Sequence, residues 1–234
     1  MSDRLALRQQ WLESIAPQYK LQLQTQQAAS EDASFRQYFR LQSADGKSFI
    51  VMDAPPAKES VKDFIKVTHL FESAQLNVPT IYEQDVENGF LLLKDLGRQT
   101  YLDVLNEDNA RELFEKAIEA LVQWQKISKP GVLPNYDRVI LQREIDLFPQ
   151  WYVGVHRKKT LDERQQALMK VCFERIIQNN LSQEKVFVHR DFMPRNLMAC
   201  PAQQPGILDY QDALYGPISY DIASCLLYTC DAAD

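Results

Sequence analysis

Hydrophobic residues recur along this chain at two different spacings, and the switches between them mark its elements. The opening MSDRLALRQQWLESIAP spaces its apolar residues as an amphipathic helix does and has no continuous apolar core of a signal peptide. From Lys20 to Gln26 (KLQLQTQ) the pattern becomes strict alternation, the period of a strand with one buried face, and a second alternating run covers Ser34 to Leu41. Ala44-Asp45-Gly46-Lys47 then separates that run from SFIVMDA. Asp-Gly tolerates positive φ in a tight turn, so two strands joined as a hairpin are predicted. Ser60 is placed to cap a helix with Val61, Phe64, Ile65, Thr68 and Phe71 on one face, ending before Pro79. TIYEQDVENGFLLLKDLG predicts a strand, a Glu-Asn-Gly turn, a buried strand and a glycine-containing exit. The first part of the chain therefore reads as a small antiparallel sheet carrying one helix.

After Gly97 the spacing turns helical. Glu107 to Ile127 and Leu161 to Asn179 repeat every three to four residues, and so does Asp137 to Val155, with Pro149 as a candidate break. SKPGVLPNY is the longest clear loop, and from Val186 short apolar runs return between polar motifs. The pattern predicts an α+β fold of two lobes, a sheet-rich N-lobe over residues 1–96 and a helix-rich C-lobe over 97–234, joined near Lys94 to Arg98.

Composition narrows the function classes. With 45% hydrophobic and 25% charged residues, a packed core is affordable in 234 residues. The net charge of −6 argues against a nucleic-acid binder, which shows a basic stripe. No apolar run approaches bilayer length. Cys172, Cys200, Cys225 and Cys230 make no C-x-x-C pair and no zinc spacing with the three histidines, as free thiols in a reducing compartment would. A soluble cytoplasmic protein is expected, with a small-molecule partner rather than nucleic acid or membrane.

The chemistry gathers in VFVHRDFMPRNLMACPAQQPGILDYQDALYGPISYD, residues 186–221. An apolar strand delivers His189-Arg190-Asp191; Asn196 follows five residues after the aspartate, and a second apolar run ends in Asp209. A loop followed by a hairpin would bring Asp191, Asn196 and Asp209 to one edge. Phosphoryl transfer needs such a set: a carboxylate to orient the attacking hydroxyl and take its proton, and cations to neutralise phosphate oxygens. Magnesium takes oxygen donors and few of them from protein, so one amide and one carboxylate suit it.

His189-x-Asp191-x-x-x-x-Asn196 followed by Asp209 resembles the catalytic loop and metal aspartate of the protein-kinase-like fold. The continuation Asp209-Tyr210-Gln211-Asp212-Ala213, with Gly216-Pro217 and Tyr220-Asp221, departs from D-F-G and is similar to the aminoglycoside phosphotransferase family. Within it, DASFRQYFR, IVMDAPP, GFLLLKDLG, VHRDFMPRNLM and ILDYQDALYGPISYD most resemble the anomeric kinases of N-acetylmuramic acid and N-acetylglucosamine, over about Asp32 to Ser224. The resemblance implies an ATP- and Mg2+-dependent sugar kinase of peptidoglycan recycling. It makes Asp191 the base and gives the metal, and through it ATP, to Asn196 and Asp209. His189 and Asp221 become a brace for the loop. Phe90 to Gly97, with Leu93 and Asp95, stands for the segment whose backbone meets adenine, and Ser34 to Leu41 for the phosphate-covering loop.

Two features depart from that pattern. The lysine expected on the strand after the first hairpin is missing, Met52 and Asp53 standing there instead, and no glycine-rich loop or Walker A motif occurs. Arg36 or Arg40 is the expected replacement cation, one of them held by Asp53. A kinase of another hydroxylated metabolite, choline-like or aminoglycoside-like, and an inactive nucleotide-binding fragment are the alternative readings. The tail CLLYTCDAAD resembles translated adaptor sequence over residues 226–234, so the expectation is a chain cut short within its C-lobe, with apolar surface left uncovered. Trp151 with Tyr152 is the aromatic pair suited to a sugar face.

Overall fold

A computed structural model describes residues 3–30, 35–200 and 204–231. Along the chain run α1 (Asp3–Tyr19), β1 (Leu21–Ser30), β2 (Gln37–Ser43), β3 (Ser48–Asp53), α2 (Val61–Ser73), β4 (Ile81–Asp85), β5 (Phe90–Lys94), α3 (Tyr101–Val104) and α4 (Ala110–Lys126). There follow α5 (Arg138–Ile145), a π-helical stretch Phe148–His156, α6 (Glu163–Ser182), β6 (Lys185–Val188), a single 3-10 turn Pro194–Asn196, β7 (Leu197–Met198), β8 (Gly206–Ile207), β9 (Leu214–Pro217) and α7 (Tyr220–Asp231). The expected α+β class is what is found. Ser34, where the segment that the sequence assigns to the phosphate-covering loop begins, and Ala232 to Asp234 of the tail lie outside the described residues.

Contacts gather the chain into two units: residues 1–120 with 194–212, and residues 121–193 with 213–234. They part inside α4 rather than after residue 96, and the stretch 194–212 is counted with the first unit.

The first unit is built on an antiparallel sheet in the order β1-β2-β3-β5-β4. The Asp-Gly turn closes β2 onto β3 as predicted, with Gly46 at φ 81° and Gln42 paired to Ser48. Gly89 turns β4 into β5 at φ 72°; a Cβ there would stand 2.0 Å from the Ala54 carbonyl oxygen, so both conformation and space demand glycine. Period-two alternation sends Leu41, Phe49, Val51 and Leu92 to one face, where α1 lays Leu12, with Trp11 and Ile15, over them. α2 begins where expected: the Ser60 hydroxyl accepts from the Lys62 N–H, and Val61, Phe64, Thr68 and Phe71 are buried.

The second unit pairs β6 with β9, from Lys185 opposite Pro217 to Val188 opposite Leu214. Tyr136, Leu141, Ile177, Val188 and Leu214 form its core, and Trp124 packs on Phe187 with ring centroids 5.1 Å apart. The helix expected over Asp137 to Val155 is interrupted. Asp137 caps α5 by accepting from the Ile140 N–H, and Pro149 stands in the first turn of the π-helical stretch that follows. A proline cannot supply an interior helix hydrogen bond, and the wider turn accommodates it.

Candidate functional site

Asp209 (φ 60°) and Arg190 (φ 80°) are two of the non-glycine residues held at positive φ, and both fall in the segment that the sequence singles out. Bulky residues avoid this conformation unless their surroundings impose it, and such strain collects at functional sites.

In the first unit the surroundings of Asp209 are explicit. β7 and β8 pair Leu197 with Ile207 and Met198 with Gly206. The Leu208 N–H donates to the Asn196 carbonyl at 2.9 Å, so Asn196 and Asp209 leave the ribbon at the same end. The ribbon is tied down by Ile207 N–H to the Asn77 carbonyl and Ala199 N–H to the Gln99 carbonyl, both 2.8 Å. Tyr210, the residue after the aspartate, is fully buried. Its ring lies 5.0 Å from those of Phe64 and Phe71 on α2, and its hydroxyl shares a 2.8 Å hydrogen bond with Thr68. Burial pushes the Tyr210 phenol far up, so it is neutral and serves as an anchor. The Gln211 amide nitrogen donates to Asp209 Oδ1 at 2.9 Å, orienting the carboxylate.

Among the described residues no three His, Cys, Asp or Glu side chains gather as a metal cluster. One amide and one carboxylate at the end of a ribbon make a sparse oxygen-donor set. That suits a hard cation that keeps waters and shares phosphate oxygens, and it does not suit a closed zinc site.

The basic residues are placed differently from expectation. Asp53 takes Arg4 and Arg8 of α1, at 2.5 and 2.7 Å, and neither Arg36 nor Arg40. Register explains the correction. Asp53 pairs with Gln37, on the face of Phe39 and Leu41, whereas Arg40 pairs with Ile50 on the opposite face. Arg4 and Arg8 lie over the rings of Phe90 and Phe39, at 4.2 and 3.8 Å from the centroids. Met52, where the lysine is missing, is buried. Arg36 pairs with Glu59 at 2.5 Å, and Arg40 with Asp95 at 2.6 Å. Leu93 is buried in a strand paired on both sides, to Ile50 and Ile81, and the β5 ladder ends at Lys94. The stretch free of ladder pairing therefore starts at Asp95. Sequence reading missed Arg4 and Arg8; their four-residue spacing on a helix puts them on one side, which was the available signal.

In the second unit the loop after β6 carries Asp191. The His189 and Arg190 N–H groups, left without ladder partners where the strand ends, donate to the two oxygens of Asp221 at 2.8 and 2.9 Å. The Asp191 N–H donates to His189 Nδ1 at 3.2 Å, which assigns the proton of a neutral ring to Nε2. The expected brace between His189 and Asp221 thus runs through backbone amides, with the imidazole turned to the backbone of the loop at Asp191. Burial raises the Asp221 carboxyl to about 6, against the two N–H bonds that lower it and with the nearby Asp191 charge adding to the rise. The Arg190 guanidinium reaches Glu144 at 2.6 Å, and Glu144 also accepts from the Tyr136 hydroxyl. Trp151 and Tyr152 are exposed; Tyr152 stacks between Phe148 and His156, with centroids 5.3 and 5.5 Å away.

The sequence pattern of a family described as the phosphotransferase enzyme family matches residues 25–234. The chain is 52% identical over 199 residues to an N-acetylmuramate/N-acetylglucosamine kinase of Pseudomonas putida, covering 85% of this chain and 58% of that protein. It is 53% identical over 198 residues to the protein of that name in Pseudomonas aeruginosa, again over 85% and 58%. The chain thus spans less than two thirds of the length of these relatives. Among solved structures it is similar to a GDP complex of an aminoglycoside 2'-phosphotransferase-IIIa, with a TM-score of 0.68 and 16% identity over 98% of this chain and 79% of that one. At that identity the likeness is one of fold.

Proposed function

This chain belongs to the phosphotransferase enzyme family, and we propose that it carries the catalytic apparatus of an ATP-dependent kinase for the anomeric hydroxyl of N-acetylmuramic acid or N-acetylglucosamine. The observation that carries the reading is the β7–β8 ribbon, which sets Asn196 and Asp209 at one end and anchors the aspartate at positive φ through Tyr210. The acceptor is supported by the names of relatives at 52% and 53% identity. The absence of long apolar helices among the described residues and the free Cys172, Cys200 and Cys225 support a cytoplasmic setting.

In this reading the Asp191 carboxylate orients the sugar hydroxyl and receives its proton as the oxygen bonds to the γ-phosphorus. The bond from that phosphorus to the β–γ bridging oxygen breaks, and ADP leaves. Asn196 and Asp209 would hold Mg2+, which would supply the charge that neutralises phosphate oxygens. His189, Arg190 and Asp221 hold the loop that presents Asp191.

The test offers purified protein, ATP and magnesium a panel of N-acetylmuramic acid, N-acetylglucosamine, an aminoglycoside and choline, with ADP and phosphorylated product followed. Turnover of the two amino sugars, abolished by Asp209→Ala, is expected. Turnover of choline or the aminoglycoside alone would overturn the substrate class, and an unimpaired Asp209→Ala variant would overturn the metal site.

A further inference from the structure

Asp95, the first residue past β5, gathers donors from two strands, β2 and β3, and from its own turn. Arg40 of β2 gives Nε to Oδ2 at 2.6 Å and Nη2 to Oδ1 at 3.0 Å. Ser48 of β3 gives its hydroxyl to Oδ2 at 2.5 Å, and the Gly97 N–H reaches Oδ1 at 3.0 Å. Arg40 Nη2 closes the ring on the Gly97 carbonyl at 2.6 Å. Gly97 sits at φ 110° with nothing within 4 Å of where a Cβ would be, so backbone conformation and not space selects glycine there. Both charged side chains are mostly covered, 12% and 7% exposed. Burial pushes the Asp95 carboxyl up, but the bonds from Arg40, Ser48 and Gly97 outweigh it and hold the group below its ordinary value.

This arrangement spends Arg40. Of the five N–H donors on a guanidinium, the Nε hydrogen and both Nη2 hydrogens are used on Asp95 and Gly97. Its charge is matched by a carboxylate in bidentate contact, which leaves little field for a polyphosphate. What the contacts do fix is the backbone of residues 95–97, where the β5 ladder has ended. The Gly97 N–H and carbonyl are taken up by Asp95 and Arg40 and the Leu96 carbonyl by Cys200, so the peptide groups these contacts would hold out to a ligand are those of Asp95 and the Leu96 N–H.

We propose that Arg40 and Asp95 form a clasp that positions the 95–97 backbone for the base of the nucleotide, so that Arg40 sets base affinity and base selectivity rather than contacting phosphates. The proposal rests on the nucleotide reading given above. A heterocyclic base presents a rigid edge of donors and acceptors, and peptide groups read such an edge only when their orientation is held. Both residues are positioning residues in this account.

Calorimetric titration with adenosine, ATP and GTP of the wild type, Arg40→Met, Arg40→Lys and Asp95→Asn tests it. The expected result is a loss of about ten- to a hundredfold in affinity, the scale of a charged hydrogen bond, that is equal for adenosine and ATP, with a narrowed ATP-to-GTP preference. Asp95→Asn should reproduce the loss, although it leaves the Arg40 charge in place. Arg40→Lys, which keeps the charge and loses the fork, should fall with Arg40→Met and supplies the answer if that variant fails to fold. Weakened ATP binding with unchanged adenosine binding, or an Asp95→Asn variant that binds ATP as well as or better than the wild type, would overturn the clasp and make Arg40 a phosphate ligand. A wild type that binds none of the three would overturn the nucleotide reading itself.

Discussion

Replacing Asp221 by Asn separates the electrostatics of the loop after β6 from its hydrogen bonding. The wild-type carboxylate is buried, and its two oxygens accept from His189 and Arg190. A carboxyl moved from 3.8 to about 6 by folding is one whose ionised form the folded state disfavours, by about 3 kcal/mol at about 1.4 kcal/mol per decade of acidity. The sign follows from the raised value: the stabilising contribution is complete below about pH 4 and is lost as pH rises through about 6. Asn does not titrate. It keeps one acceptor and turns an amide N–H2 toward the other backbone N–H, a buried mismatch costing about 1–3 kcal/mol. At pH 7 the two effects nearly cancel, so Asp221→Asn should be within about 2 kcal/mol of the wild type. At pH 4 it should be weaker by about 1–3 kcal/mol. Urea unfolding at steps between pH 4 and 7.5 measures this, followed by tryptophan fluorescence to which Trp124, packed on Phe187 in the same unit, contributes. Subtracting the variant from the wild type removes the other titrating groups. A difference that is flat with pH, or that grows in favour of the wild type as pH rises, would refute the reasoning.

Asp191→Asn should lower turnover by about two to four orders of magnitude, the scale of positioned proton transfer, with ATP affinity nearly unchanged; parallel loss of both in steady-state kinetics and titration would make the residue structural. Arg36→Met should raise the apparent Michaelis constant for ATP and leave adenosine binding alone, opposite in pattern to Arg40→Met, and equal effects on both ligands would remove Arg36 as a phosphate cation. Gly89→Ala should cost more than about 1 kcal/mol in thermal or chemical unfolding, because it adds a clash with the Ala54 carbonyl to the strain of positive φ; a neutral substitution would show that the β4–β5 turn can relax.

What could be read from the sequence was what depends on neighbours in the chain. Ser60 and the Val61, Phe64, Thr68 and Phe71 stripe give α2 because a cap and a face are local, and Asp45-Gly46 gives the β2–β3 turn for the same reason. The ribbon holding Asn196 and Asp209 was legible because two short apolar runs flank a proline-rich turn. Partners across strands were not. Asp53 and Arg40 each had several arginines or carboxylates within reach on paper, and only the register of β2 on β3 decides that they face opposite ways. The burial of Tyr210 against α2 joins residues 142 positions apart, and no spacing rule covers that. The π-helical stretch around Pro149 escaped because helical periodicity is the same on either side of a local widening.

The assignment of residues 194–212 to the first unit has a temporal side. During synthesis the sheet, α1 and α2 emerge first, yet α2 lacks Tyr210, and Asn77 lacks the Ile207 N–H, until 73 further residues beyond 120 and then the ribbon itself have been made. The first unit therefore cannot be completed vectorially from the amino terminus; residues 121–193 must be threaded out as a loop before it closes. Long loop closure slows folding and leaves apolar surface such as Phe64 and Phe71 waiting for its partner. Asp209, the carboxylate proposed for the metal, is among the last pieces of that unit to arrive, so a nascent chain acquires its sheet well before it acquires the ribbon that positions this residue.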